Sequence, residues 1–304
     1  MPALNQPSPG RLLLALLLLA LTGLLPLSAA ASASQARLEV FASLPPQAAI
    51  VSRLGGPQVR CQTLLTAGQD PHTFEPKPRQ VQELARAAIY FTSGLPFERA
   101  LAEKIGGSGH LALVDSSAGI AKLLSDDRHG HGHEEALDPH VWLAPSGLAL
   151  MAENIAAALC ARDPGNQDAY RGNLAALKAE LREVDARLRT LLAPHAGRTF
   201  YVFHPAFGYF AREYGLRQKA VETGGKSPSP RQLAALIEEA RKEGVKIIFV
   251  QPQFETRNAQ AIARAINGAV VAIDPMRPDV LANLLTMAGE IARALDEKTR
   301  KTPL

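Results

Sequence analysis

Cysteine is almost missing from this chain: Cys61 and Cys160 are the two in 304 residues. Two thiols exclude a disulfide scaffold and a cysteine-built zinc knuckle. Charge of one sign is also scarce. Lys and Arg number 33 against 29 Asp and Glu, a net charge of +4. So small and dispersed an excess excludes a nucleic-acid binder, which needs a concentrated basic stripe. After residue 27 no run of 18 apolar residues occurs, so no later segment is expected to span a membrane and the mature chain is expected to be soluble. H-E-x-x-H, G-x-S-x-G, the P-loop and G-x-G-x-x-G are all absent. What remains is ordinary for a globular protein: 47% hydrophobic, 20% charged, 23 Gly and 22 Pro. These values exclude wholesale disorder, and the length suits one large or two medium domains.

The N-terminus reads as an address. Arg11 precedes an apolar run over 12–27, and Ser28-Ala29-Ala30-Ala31-Ser32-Ala33 follows. Positive, apolar and small-residue regions in that order predict a signal peptide over 1–33, cut after Ala31 or Ala33. The run is about 16 residues, short of the roughly 20 of a spanning helix, and it contains Gly23 and Pro26. No Cys follows it, so a lipid anchor is not expected. The expected location is the exported, oxidising side of a membrane. Whether Cys61 and Cys160 pair there, or stay as two inert thiols, depends on a Cα distance that sequence does not give.

The mature chain alternates short apolar runs with helical stretches. Strands are expected at 37–44, 58–65, 89–92 and 111–114, with helices at 45–54, 78–88 and 96–105 between them. Helices follow at 145–160 and 166–192. In the second, Leu174, Leu177, Leu181, Val184, Leu188 and Leu191 form a continuous apolar stripe. A second block repeats the rhythm: strands at 199–203, 218–222, 245–250 and 269–273, helices at 207–214, 230–244, 255–266 and 279–296. Such alternation predicts parallel sheets flanked by helices. The expected organisation is an α/β lobe over 34–162, a linking backbone helix over 163–196, and a second α/β lobe over 197–304.

Four residues beside prolines stand out: His72 in Asp70-Pro71-His72, His140 in Asp138-Pro139-His140, His204 before Pro205, and Asp274 before Pro275. His72, His204 and Asp274 follow the carboxyl ends of expected strands, where open α/β sheets bind ligands. Two would come from each lobe, placing a site in the cleft between them. Three imidazoles and a carboxylate suit tetrahedral Zn²⁺. Four protein ligands leave no open position for a catalytic water. A separate acidic tract over 126–135 carries His129, His131 and His133, spaced by glycines. Its composition suggests an auxiliary low-affinity metal loop. Glu75 is either a partner to His72 or solvated, and His110 and His195 are read as surface residues.

Longer motifs carry a resemblance. They are Asp70-Pro71-His72-Thr73-Phe74-Glu75-Pro76-Lys77-Pro78, Asp138-Pro139-His140-Val141-Trp142-Leu143, and Phe203-His204-Pro205-Ala206-Phe207-Gly208-Tyr209-Phe210. Ser227-Pro228-Ser229-Pro230, Gln251-Pro252-Gln253-Phe254 and Ile273-Asp274-Pro275 complete the series. In this order the chain resembles the periplasmic substrate-binding proteins of zinc and manganese ABC importers, zinc-uptake type. The resemblance implies two lobes on one rigid helix, and His72, His140, His204 and Asp274 as metal ligands. It implies an ABC permease and its cytoplasmic ATPase as partners of a soluble periplasmic monomer. Manganese members look to have Glu where His204 stands. Three nitrogens and one oxygen favour zinc, since Mn²⁺ prefers oxygen. Many relatives have His-Asp where this chain has His204-Pro205, which removes one possible carboxylate partner of His204. Alternatives are a manganese or mixed-metal member of this class, an exported zinc hydrolase, and a metal-buffering or adhesion protein.

Overall fold

The computed structural model describes residues 37–105, 109–124, 137–222, 227–254 and 257–300, with side chains of the last helix described to Asp296. The first lobe comprises β1 (Leu38–Ala42), α1 (Pro45–Gly55), β2 (Val59–Thr63), α2 (Pro78–Leu84), β3 (Ile89–Thr92), α3 (Pro96–Ile105) and β4 (Ala112–Asp115). All pairs are parallel, in the order β2-β1-β3-β4. Then come α4 (Pro145–Arg162) and α5 (Gln167–Leu192). The second lobe comprises β5 (Thr199–Val202), α6 (Gly208–Glu213), β6 (Arg217–Ala220), α7 (Pro230–Lys242), β7 (Ile247–Val250), α8 (Arg257–Ala265) and β8 (Ala269–Ala272). Its parallel sheet has the matching order β6-β5-β7-β8, and α9 (Val280–Arg300) closes the chain.

Strand composition follows position in the sheet. Central β3 buries Ile89, Tyr90 and Phe91 and central β7 buries Ile248, Phe249 and Val250, because helices cover both faces of a parallel sheet. The edge strands β2 and β6 instead carry Arg60, Gln62, Arg217, Gln218 and Lys219. Polar edges discourage pairing with another chain. Caps set the helix ends. Ser229 Oγ accepts from Gln232 N, and Gln232 Oε1 accepts from Ser229 N at 2.8 Å, with Pro230 at the first helical position. Asn267 ends α8 with φ of 51°, and a Cβ on Gly268 would lie 2.3 Å from Lys246 O, so glycine is required there.

Helix α5 is 26 residues long and packs against α1, α4 and α9. Its buried stripe is Tyr170, Leu177, Leu181, Val184, Leu188 and Leu192. Leu191, expected in the stripe, is 38% exposed. A helix of 3.6 residues per turn drifts from a strict 3-4 repeat, and over five turns the inward place passes to the next residue. The linking helix is thus one member of a helical layer. One hydrophobic cluster runs from Val40 and Phe91 of the first lobe through Leu177 and Leu188 to Val202, Phe249 and Ile291. A smaller cluster, including Tyr201, Ile248 and Ile262, fills the other face of the second sheet. Among the described residues no helix is long and apolar enough to cross a membrane.

Candidate metal centre

Parallel strands bring their carboxyl ends to one edge of each sheet, and the loops leaving those edges carry the site. The two Asp-Pro-His tripeptides fold alike. Asp70 Oδ1 accepts from His72 N at 2.8 Å, and Asp138 Oδ1 accepts from His140 N at 2.9 Å. Each is an Asx-type turn, in which a carboxylate takes the backbone donor two residues on. His204 lies two residues past β5. Its backbone pairs reciprocally with buried Gln251: His204 N donates to Oε1 at 3.1 Å, and Nε2 donates to His204 O at 3.0 Å. Phe254 stacks on the His204 ring with centroids 4.6 Å apart.

The three imidazoles meet. His204 Nε2 is 3.2 Å from His72 Nε2 and 3.3 Å from His140 Nε2. Among the described residues these three form the one group of ligand-type side chains whose donor atoms all lie within 4.8 Å of one another. His140 Nδ1 donates to Asp138 Oδ1 at 2.7 Å, and His204 Nδ1 donates to Glu222 Oε1. A carboxylate only accepts, so both rings carry their proton on Nδ1 and turn the Nε2 lone pair inward. Converging lone pairs repel, and a cation at their centre relieves the repulsion. At a Zn–N distance of about 2.0–2.1 Å, tetrahedral ligand nitrogens sit about 3.3–3.4 Å apart. The observed separations match that edge. The cavity between the rings is small, about 10 Å³, and its lining includes the three histidines, Trp142, Gln253 and Phe254. His140 and His204 are 7% and 2% exposed while His72 is open to solvent, so His72 stands at the entrance.

The surroundings fix the ligands. Trp142 Nε1 donates to Pro275 O at 2.9 Å, tying the turn after His140 to the loop after β8. Tyr209, on α6, donates to Asp138 O at 2.9 Å and accepts from Leu123 N at 3.0 Å. A Cβ on Gly208 would stand 2.8 Å from Asp138 Oδ2, so α6 approaches this closely only with glycine there.

The other residues marked in the sequence have the following surroundings. Asp274 stays outside the histidine group: its Oδ1 accepts from Gln253 Nε2 at 2.7 Å and from Met276 N at 2.9 Å. His204 does have a carboxylate partner. Glu222, just past β6, supplies it through the fold, and no local motif marks a contact between residues so far apart in sequence. Gln253 and Phe254, quoted above only among the motifs of the resemblance, form part of the site's wall. His195, expected on the surface, is 6% exposed with Nε2 3.8 Å from Asp296 Oδ1, because the turn after α5 tucks it beside α9. His110 and Glu75 are exposed. Cys61 and Cys160 are both free, and burial pushes the Cys61 thiol up to about 12. His129, His131 and His133 lie outside the described residues.

The family model for ZnuA, the periplasmic component A of a zinc-uptake complex, matches residues 40–297. The chain belongs to the ZnuA family. A crystal structure of a ZnuA is 38% identical, with a TM-score of 0.80 over 85% of this chain and 99% of that one. A deletion mutant of ZnuA with zinc bound is also 38% identical, with a TM-score of 0.79, covering 85% of this chain and 98% of that one. The high-affinity zinc uptake system protein ZnuA of Bacillus subtilis is 30% identical over 214 residues, 67% of each chain. As a member of the ZnuA family, the chain is a periplasmic zinc-binding component of an ABC zinc importer. The family is a class of metal-binding transport proteins.

Proposed function

We propose that this protein is exported with cleavage of residues 1–33 and captures Zn²⁺ in the periplasm as a soluble monomer without enzymatic activity. The ligands are His72, His140 and His204, with Asp274 held apart from them by Gln253 and Met276. The loaded protein delivers the ion to an ABC permease driven by a cytoplasmic ATPase. The lobes are 34–162 and 197–304, linked by 163–196. The observation that carries the reading is the Nε2 spacing of 3.2 and 3.3 Å, the edge of a tetrahedral zinc site. An all-imidazole set suits zinc better than manganese.

Metal analysis of untagged protein, with competitive zinc titration of wild type and His204→Glu, tests it. One tight zinc per chain, weakened or shifted toward manganese in the variant, is the expected result. Binding indifferent to His204 overturns the ligand set. The tract with His129, His131 and His133 collects zinc at low affinity, so deleting 126–135 leaves the tight site intact. A large loss of tight binding in that deletion refutes the auxiliary role.

A further inference from the structure

Asp274 follows β8 at the sheet edge that carries the site, yet it is not among the residues lining the metal cavity. Gln253 is. The amide nitrogen of Gln253 holds Asp274 Oδ1 at 2.7 Å, and Met276 N holds the same oxygen at 2.9 Å. A carboxylate accepts and never donates, so the amide must present nitrogen to Asp274 and turn its oxygen the other way. That oxygen, Gln253 Oε1, is buried with no hydrogen-bond partner among the described residues. An orphaned acceptor in a protein interior is costly and calls for an explanation. A water on a metal ion held by the three imidazoles would supply one, donating to Oε1 from the fourth position.

We propose that Gln253 sets the metal preference of this site by withholding Asp274 from the ion and leaving the fourth position to water. The inference rests on the three-imidazole zinc site described above. Its consequence is selectivity. Three nitrogens and a water satisfy Zn²⁺, whereas Mn²⁺ gains most from an added carboxylate oxygen. A water also leaves more readily than a fourth protein ligand, which suits a protein that must surrender its ion.

The test compares full-length mature wild type with Gln253→Leu, Asp274→Asn, the double variant and His204→Ala. Zn²⁺ and Mn²⁺ affinities are measured by chelator competition at fixed pH. In Gln253→Leu, Mn²⁺ affinity rises about tenfold as Asp274 is freed to ligate, the scale on which such outer partners act. The rise disappears in the double variant. Asp274→Asn alone leaves zinc affinity within about threefold, far from the loss in His204→Ala. Zinc-edge X-ray absorption gives wild type and Asp274→Asn the same three-nitrogen, one-oxygen shell. Should Gln253→Leu fail to fold by circular dichroism, Gln253→Ala replaces it. The proposal is overturned by unchanged Mn²⁺ affinity in the Gln253 variants, by a gain that persists without Asp274, or by a zinc loss in Asp274→Asn as large as in His204→Ala. Failure of the underlying site is separately visible: His204→Ala would then bind zinc as wild type does.

Discussion

Asp-Pro-His occurs twice, and the two copies do different work. In both, the Asp side chain takes the His backbone donor and shapes the turn. At 138–140 the same Asp also orients the ring through Nδ1. His204 receives this service from Glu222, a residue from another strand end. Carboxylates of this kind raise the basicity of the ligand ring and hold it in the metal-binding tautomer. Glu222→Gln keeps the shape and removes the charge, so zinc affinity is expected to fall about tenfold with the fold intact. Competitive titration with circular dichroism checks this, and affinity within threefold of wild type would deny Glu222 its part. The Cys61 thiol makes a second residue-scale prediction. The thiolate is the reactive form, and a thiol held at about 12 is almost wholly protonated at pH 8. Alkylation of Cys61 at that pH is therefore slow in the folded protein and fast in denaturant, as peptide mass analysis would follow. Rapid labelling in the native state would mean that burial does not protect it.

At the scale of elements, the turn that presents His140 depends on its neighbour helix. Val141–Leu143 forms a short 3₁₀ turn against the start of α4, and all three side chains are buried. A Cβ on Gly147 would lie 2.1 Å from Val141 O, backbone against side chain. Gly147→Ala must therefore push the turn away and His140 with it. The expected cost is about 1–3 kcal/mol of stability, typical of overpacking, together with weaker zinc binding. Denaturant unfolding and zinc titration of the variant read the two effects. An unchanged zinc affinity would show that the turn yields without moving the ligand. Helix boundaries were largely legible because prolines and caps mark them, as at Pro45, Pro96, Pro145 and Pro230. The exception is α2, expected over 78–88 but ending at Leu84. Periodicity alone continues past that point, whereas the chain must straighten before β3.

At the scale of the whole molecule, both lobes share one hydrophobic cluster built around α4, α5 and α9. Opening the cleft widely would expose part of that cluster to water, at about 25 cal/mol per Å² of apolar surface. Scattering curves with zinc and with chelator should therefore nearly superimpose, with change confined to local rearrangement. A large closure on adding zinc would contradict this shared core. Zinc should still stabilise the fold by mass action. At a free concentration of a hundred times the dissociation constant the gain is about 2.7 kcal/mol, visible as a raised melting temperature that chelator reverses.

Residue pattern was enough for the class of fold, since strand-helix alternation with apolar central strands has few packed solutions. Local turn chemistry and strand ends also marked the three histidines that the fold brings together, and the family motifs around them supplied the ligand reading. Tertiary structure decided what the histidines touch beyond their own turns. Glu222 reaches His204 and Gln253 reaches Asp274 only because parallel strands deliver separate loops to one edge. The holding of Asp274 by Gln253 and the burial of His195 beside Asp296 have the same origin. Each depends on distances between segments far apart in the chain, which local periodicity does not encode.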